Sequence, residues 1–248
     1  MTDVHGSKGS KAMKYEFLAH ATREEAADFA ARMASGVLAA AIEDSGKASF
    51  MVSGGTSPAP VFNRLSKTDL PWDRVTVGLV DERWVGPEHE GSNEALVRQH
   101  LLTGKAGAAG FLPMKTAAET ARIAVADRVL AYQPHCDPID LILLGMGSDG
   151  HTASWFPNAG GLNAALHASD GLAVASIDAT GCKVAGQFTD RMTLTGPAII
   201  DSDAAILLIF GEDKREVLDL ALKASPEDMP VRYAIDGLGP RLTIIWAP

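Results

Sequence analysis

The sequence is poor in cysteine and in long apolar runs. Its 248 residues contain two cysteines, Cys136 and Cys182. Their separation matches no metal-ligand spacing, so two buried or semi-buried thiols are expected rather than a disulfide framework. No apolar run approaches the roughly 20 residues that span a bilayer, and the N-terminus lacks the apolar core of a signal peptide. We therefore expect a soluble protein of the reducing cytoplasm with no membrane partner.

Basic residues are also scarce relative to acidic ones. Lys and Arg total 22 against 31 Asp and Glu, which gives a formal net charge of −9. This balance argues against a general nucleic-acid-binding surface, so no nucleic-acid partner is expected. An anionic small molecule is not excluded, because a few local cations outweigh the global field over a short distance.

Short apolar segments alternate with helical patterns along the chain. Strands are predicted at 15–19, 48–52, 75–80, 139–144, 172–177, 204–210 and 242–246. Two helices are predicted with both limits, from an N-cap at Thr22 to about Asp44 and from an N-cap at Thr116 to about Gln133. Two more are predicted to begin after N-caps at Ser57 and Ser92, and a fifth is predicted over 212–224. The alternation predicts an α/β fold with one doubly wound, mostly parallel sheet and helices on both faces. We expect one catalytic domain at 13–248 and a disordered N-terminal tail at 1–12.

The segment 141–157 carries the most chemical information. Its first four residues are typical of a buried strand in a parallel sheet, and the glycine-rich loop that follows holds Asp149 and His151. Ligands of open α/β sheets bind beyond the carboxyl ends of the strands, and histidine suits proton transfer near neutral pH. His151 is thus a candidate general base that Asp149 orients. The alternatives are a structural histidine, and an Asp149 that caps a short helix.

The same loop matches the dinucleotide pattern G-x-G-x-x-G at 145–150. That fingerprint needs a following helix whose N-terminus binds the pyrophosphate. Pro157 and the pair Gly160-Gly161 leave room for about two helical turns. We therefore expect no dinucleotide cofactor.

The loop at 53–57 follows a predicted buried strand and combines two glycines with hydroxyl side chains. Glycine lets the backbone approach a ligand closely, and free N–H groups at such a turn bind anions. A phosphate site is one interpretation, and a plain tight turn is the other.

Three cations lie near predicted element ends. Arg83 follows the strand 75–80, and its planar guanidinium suits phosphate oxygens, although residues 81–83 are equally consistent with a surface ion-pair cluster. Arg191 and Lys214 are further candidates, and a solvated surface lysine is the alternative for Lys214.

These segments together resemble the 6-phosphogluconolactonase family, within the larger glucosamine-6-phosphate isomerase/deaminase fold group. The block 149–154 is specific to this group, whereas the Gly-Gly loop alone is not. The matching residues occur in the family's order and are Ser53-Gly54-Gly55-Thr56, Val80-Asp81-Glu82-Arg83-Trp84-Val85 with Ser92-Asn93, the segment 145–157, Arg191 with 193–195, and Gly211 with Lys214.

The resemblance implies a modified Rossmann fold and hydrolysis of 6-phospho-D-glucono-1,5-lactone to 6-phospho-D-gluconate, a step of the oxidative pentose phosphate pathway. It implies that His151 activates water with Asp149 beside it, and that no metal or other cofactor takes part. The partner would be this sugar-phosphate lactone, and the protein would be a monomer or a weak homodimer. The implied substrate- and phosphate-binding residues are Ser53, Gly54, Gly55, Thr56, Asp81, Arg83, Asn93, Gly147, Arg191 and Lys214.

Two other functions are considered. A glucosamine-6-phosphate deaminase would share the fold, but that branch has a Glu five residues after the His, where this chain has Phe156. Its proton-abstracting Asp would correspond to Asp81, so Asp81 does not discriminate. A non-enzymatic sugar-phosphate sensor would need an appended helix-turn-helix and a basic face, for which residues 1–14 are too few.

Overall fold

A computed structural model of the protein describes residues 15–248, so the predicted tail at 1–12 lies outside the described residues. The strands of the described part are β1 (Glu16–Ala19), β2 (Ala48–Val52), β3 (Val75–Leu79), β4 (Asp81–Arg83), β5 (Gly110–Leu112), β6 (Leu141–Leu144), β7 (Val174–Asp178), β8 (Asp190–Leu194), β9 (Ala205–Phe210) and β10 (Leu242–Ala247). Its α-helices are α1 (Arg23–Ser45), α2 (Ala59–Leu65), α3 (Asn93–His100), α4 (Ala121–Tyr132), α5 (Leu162–Leu166), α6 (Gly196–Ile200), α7 (Glu212–Ala221) and α8 (Val231–Leu238).

The larger sheet has seven strands in the order β1-β10-β9-β6-β2-β3-β5. Every neighbouring pair in it is parallel, and helices flank it, so the predicted α/β class with a mostly parallel sheet is confirmed. The chain runs outward from β2 through β3 to β5, then returns to β6 on the other side of β2 and continues to β9 and β10. The order of the strands therefore reverses between β2 and β6, which is where open sheets bind ligands.

A second sheet was not predicted. Strands β4, β8 and β7 form it in that order, and both of its pairings are antiparallel. The predicted strand at 172–177 belongs here, as β7. The sheet matters for function because β4 begins right after β3 and brings Asp81 and Arg83 opposite Thr193 and Arg191 of β8.

The central strands form where the sequence is uniformly apolar. All five residues of β2 and all four of β6 are buried, as expected for strands covered on both faces. The predicted limits of α1 are confirmed: Thr22 Oγ1 accepts the N–H of Glu25 at 3.1 Å, and Gly46 ends the helix in the left-handed conformation at φ 79°. None of the described helices has the length and apolar character to cross a bilayer.

Two predicted N-caps are wrong. Helix α2 begins at Ala59 after Pro58 and has no side-chain cap, so Ser57 does not fill that role. Helix α4 begins one turn later than predicted, because Thr120 rather than Thr116 caps it and accepts the N–H of Ile123. The hydroxyl of Thr116 instead accepts the N–H of Ala118 inside the preceding turn.

Candidate active site

A cavity of about 270 Å³ opens at the point where the strand order reverses. The loop after β2 and the loop after β6 form two of its walls, and β4, β8 and the start of α7 complete it. The predicted site residues that line it are Ser53, Gly54, Gly55, Thr56, Asp81, Arg83, Asn93, Gly147, His151, Arg191 and Lys214. Sequence positions spread over much of the chain thus meet at one edge of the sheet.

His151 faces this cavity with its ring held from behind by Asp149. The Nδ1 atom of His151 lies 2.5 Å from Oδ1 of Asp149, and the same oxygen accepts the backbone N–H of His151 at 3.2 Å. Asp149 itself does not line the cavity. The alternative role as a helix cap is wrong, because the next helix begins at Leu162.

The charge state of Asp149 follows from these contacts. Burial acts to raise the pKa of its carboxyl, but the hydrogen bonds and charge of His151 outweigh burial and the pKa is lowered. Asp149 is therefore an anion at neutral pH, and its hydrogen bond fixes a proton on Nδ1 of His151. The Nε2 atom then carries the free lone pair that a general base needs.

Gly147 provides the space for this pair. A Cβ atom at Gly147 would lie 2.0 Å from Nδ1 of His151, so the position must remain glycine for the imidazole to lie where it does. The dinucleotide pattern therefore has a different physical origin here. No helix starts directly after the loop, and this glycine instead accommodates the histidine ring.

Phe156 forms the other side of the histidine environment. Its ring centroid lies 4.3 Å from that of His151 with the planes at 41°, and the guanidinium carbon of Arg191 lies 5.3 Å from the same Phe156 centroid. The buried ring of Phe156 thus packs against both the imidazole of His151 and the guanidinium of Arg191. In the sequence analysis, Phe156 was noted because it replaces the Glu of the deaminases. That observation did not predict its contacts with His151 and Arg191.

The loop after β2 presents polar backbone to the cavity. A Cβ at Gly54 would lie 1.9 Å from Oδ1 of Asn93, so only glycine allows the backbone and Asn93 to approach this closely. Gly55 has φ +93°, a backbone conformation that favours glycine. Within residues 15–248, the N–H groups of Gly54, Gly55 and Thr56 donate to no other part of the chain. The buried hydroxyl of Ser53 has no partner there either. These donors are available to a ligand.

Arg191 is almost fully buried, with 4% of its surface exposed. One of its terminal nitrogens donates to the carbonyl of Ala185 at 2.9 Å, and Nε donates to the carbonyl of Phe188. The remaining nitrogen lies 3.9 Å from Oδ2 of Asp81. Burial lowers the pKa of this guanidinium, and the charge of Asp81 counteracts that effect. Two carbonyls and the carboxylate of Asp81 therefore hold the Arg191 guanidinium within the protein.

Arg83 and Lys214 make fewer polar contacts within the protein than Arg191 does. Arg83 is half-buried and donates from one terminal nitrogen to the carbonyl of Gly91. The ammonium of Lys214, in the first turn of α7, has no hydrogen bond or ion pair with any described residue. These two side chains supply the positive charge that a bound anion could use.

Asp81 connects strand β4 to the loop after β6 and to the start of α3. Its Oδ2 accepts the Ser154 hydroxyl at 2.6 Å, and its Oδ1 and backbone carbonyl accept the amide of Asn93 at 3.2 and 2.8 Å. Ser154 was missed as a site residue, because no spacing in the sequence shows that it meets a strand end so far from it in the chain. No cluster of three or more His, Cys, Asp or Glu side chains in 15–248 is arranged to hold a metal ion.

Comparisons with known proteins agree on one family. The family model described as "Glucosamine-6-phosphate isomerases/6-phosphogluconolactonase" matches residues 21–243. A 6-phosphogluconolactonase of Rhizobium meliloti (strain 1021) is 42% identical over 212 residues, which are 85% of this chain and 89% of the relative. A 6-phosphogluconolactonase of Pseudomonas aeruginosa is 39% identical over 230 residues, or 91% of each chain.

Solved structures give the same result. The crystal structure of a 6-phosphogluconolactonase from Shewanella baltica OS155 superposes with a TM-score of 0.88 at 32% identity, covering 96% of this chain and 100% of that one. A monomeric glucosamine-6-phosphate deaminase superposes with a TM-score of 0.72 at 17% identity, covering 94% of this chain and 97% of that one. The second likeness concerns the fold alone.

Proposed function

This chain belongs to the family of glucosamine-6-phosphate isomerases and 6-phosphogluconolactonases, and from that premise we propose that it hydrolyses 6-phospho-D-glucono-1,5-lactone to 6-phospho-D-gluconate. The observation that carries the proposal is that His151, held by Asp149, faces a cavity that Lys214 and Arg83 also line. One side of the cavity supplies a base, and the cations supply a site for a phosphate.

The proposed reaction begins with water near Nε2 of His151. Asp149 keeps the proton on Nδ1, so Nε2 accepts a proton from water as the water oxygen bonds to C1 of the lactone. The tetrahedral intermediate collapses when the bond between C1 and the ring oxygen breaks, and the imidazolium returns its proton to that oxygen. General acid–base catalysis of this kind contributes about 10²–10⁴-fold to the rate.

The negative charge that develops on the carbonyl oxygen needs a donor already in place. The free N–H groups of Gly54 and Gly55 and the unpartnered hydroxyl of Ser53 are candidates. None of these groups has a hydrogen bond to the described part of the protein that must break before it donates to the carbonyl oxygen. A lactone carbonyl is already electrophilic, so the scheme needs neither a covalent nucleophile nor a metal.

The phosphate is assigned to Lys214 and Arg83 rather than to Arg191. Lys214 has no partner in the described part of the chain, and Arg83 uses one terminal nitrogen. Arg191 already donates to two carbonyls and faces Asp81, so we assign it the role of neutralising Asp81. Phosphate binding remote from the reacting carbon improves catalysis by positioning C1 at the base.

Deamination of glucosamine 6-phosphate is the weaker proposal. The position five residues after His151 is Phe156, which is 2% exposed and packs on the imidazole. An apolar ring there cannot relay protons as a second carboxylate would. A sugar-phosphate sensor is also less favoured, because a binding protein has no need of an oriented imidazole facing its ligand.

The proposed function can be tested directly with the purified protein. Acid release from freshly made 6-phosphogluconolactone is followed in a pH-stat and corrected for spontaneous hydrolysis, and ammonia release from glucosamine 6-phosphate is the counter-assay. We expect acid release well above the uncatalysed rate and no ammonia. Ammonia release, or acid release equal to the blank, would overturn the proposal.

A further inference from the structure

Glu82 lies in β4 between two residues that line the cavity, but its own side chain is fully buried away from it. Its carboxylate accepts four hydrogen bonds. Oε1 accepts the backbone N–H groups of Arg83 at 2.7 Å and Asn93 at 2.8 Å. Oε2 accepts the N–H of Glu94 and the hydroxyl of Ser92, each at 2.9 Å.

Burial of the Glu82 carboxylate costs more free energy than an ordinary helix cap requires. A buried carboxylate without a paired cation carries a large desolvation penalty, and burial raises the pKa of Glu82 despite its hydrogen bonds. Helix α3 already has an ordinary N-cap, because Ser92 Oγ accepts the N–H of Ala95. Ser92 and Glu82 together satisfy the first three N–H groups of this helix, but the N–H of Arg83 lies outside it, so capping alone does not account for Glu82.

The carboxylate joins two elements that both deliver ligand-binding groups. Strand β4 carries Arg83, and the first residue of α3 is Asn93, whose amide binds Asp81 and contacts the loop at Gly54. By accepting the N–H groups of both Arg83 and Asn93 on one oxygen, Glu82 fixes the separation of their backbones. The two hydrogen bonds to the other carboxylate oxygen hold the start of α3 in the same orientation.

We propose that Glu82 is a positioning residue for the phosphate subsite, which acts by holding the backbone of Arg83 against the start of α3. The inference rests on the proposed function, since it takes Arg83 as a phosphate ligand. Glu82 does not line the cavity, so its effect on phosphate binding passes through Arg83. Loss of Glu82 should then weaken binding of phosphorylated ligands and leave the chemistry at His151 unaffected.

The test is a double-mutant cycle with Glu82→Gln and Arg83→Ala. The KM and kcat for the phosphorylated lactone, and kcat/KM for unphosphorylated glucono-1,5-lactone, are measured for wild type, both single variants and the double variant. We expect Glu82→Gln to raise KM by about tenfold, a typical size for one lost charged contact, with kcat and the unphosphorylated substrate nearly unchanged. In the Arg83→Ala background, Glu82→Gln should add no further increase in KM.

A matched control removes a helix cap elsewhere. Thr120→Ala deletes the hydroxyl that caps α4 and should lower Tm without changing KM. If Glu82→Gln does not fold, Glu82→Asp, which keeps the charge but withdraws the carboxylate by one methylene, enters the same cycle. Multiplicative effects of the two substitutions, an equal loss on both substrates, or an unchanged KM in a folded variant would overturn the inference.

Direct binding separates this inference from the proposed function. The dissociation constants of 6-phosphogluconate and inorganic phosphate are measured by calorimetry for the same variants. A wild-type protein without lactonase activity would overturn the proposed function, and the phosphate affinities would still decide the role of Glu82. Glu82→Gln should weaken both ligands when Arg83 is present and neither ligand in the Arg83→Ala background.

Discussion

His151 and Asp149 share a hydrogen bond of 2.5 Å between Nδ1 and Oδ1, although only one residue separates them in sequence. The pair is possible because Gly150 turns the chain at φ +76° and Gly147 leaves room for the ring. The proposed base and its orienting carboxylate thus belong to a single loop, which α8 supports through the N–H of Val231 on the carbonyl of Gly150. The proposed anion-binding groups come from several distant elements.

Replacing the base should stop the chemistry and spare binding. His151→Asn is expected to lower kcat by about 10²–10⁴-fold, because general base catalysis is lost, and to leave KM for the phosphorylated lactone nearly unchanged. The pH-stat assay measures both constants. His100→Asn, at a histidine that bonds to Asn63 on α2, is the control and should retain activity. Turnover near wild type in His151→Asn would remove His151 as the base.

Asp149→Asn should affect both the rate and the acid limit of stability. The lowered pKa of Asp149 means that its ionised form stabilises the native state. That contribution is full above the ordinary pKa of about 4 and is lost as pH falls through the lower native value. We expect kcat to fall, and the Tm difference from wild type to shrink as pH drops below about 4. Thermal unfolding from about pH 3 to pH 7 measures this, and a constant Tm difference would contradict it.

Two glycines of the same loop should respond differently to an added methyl group. Gly147→Ala places a Cβ 2.0 Å from Nδ1 of His151, whereas a Cβ at Gly145 meets nothing within 4 Å. We expect Gly147→Ala to displace the imidazole and lower kcat by at least about tenfold, because small misplacements of catalytic groups are costly. The decrease in kcat should be far smaller for Gly145→Ala. Equal kcat values for the two variants would show that the ring does not depend on this space.

Lys214→Ala should act chiefly on substrate binding. Loss of the ammonium is expected to raise KM for the phosphorylated lactone and to leave kcat/KM for glucono-1,5-lactone unchanged. Lys223→Ala, just beyond the end of α7, is the matched control for loss of one positive charge. If KM for the phosphorylated lactone is the same in Lys214→Ala as in wild type, Lys214 is not a phosphate ligand.

Replacing Arg191 should lower the stability of the protein rather than raise KM for the substrate. Arg191→Ala leaves the carboxylate of Asp81 without its nearby cation and frees two carbonyls. We expect a loss on the order of 3 kcal/mol in the free energy of unfolding, as for breaking other buried charge pairs. Arg83→Ala, at a half-buried side chain, should cost much less. Urea denaturation measures both, and equal losses would contradict the separation of roles.

The sequence predicted those parts of the fold that depend on local pattern. Strands β2 and β6 are uniformly apolar because both faces are buried, and the caps of α1 and α3 follow from Thr22 and Ser92. Strand β8 was missed because its buried residues include charged Arg191 among apolar neighbours. The Thr116–Glu119 pair had the spacing of a capping box, but the chain folds into a turn there and Thr120 caps the helix.

The clustering of the candidate residues could be predicted, but their contacts could not. Glycine-rich loops, cations near element ends and the family resemblance indicated which residues would meet, and all of the predicted substrate-binding residues line one cavity. No local pattern indicated that Ser154 would donate to Asp81 or that Phe156 would pack against both His151 and Arg191. Such pairings depend on the tertiary arrangement of separate loops, which local spacing does not encode.

The reversal of strand order between β2 and β6 has a consequence for folding. The loop after β2 and the loop after β6 follow adjacent strands that are far apart along the chain, so they become neighbours only when the centre of the sheet closes. Contacts of such long sequence separation form late and slowly. Neither half of the polypeptide can assemble the proposed site alone, and recovery of enzymatic turnover after denaturation would report completion of the whole sheet.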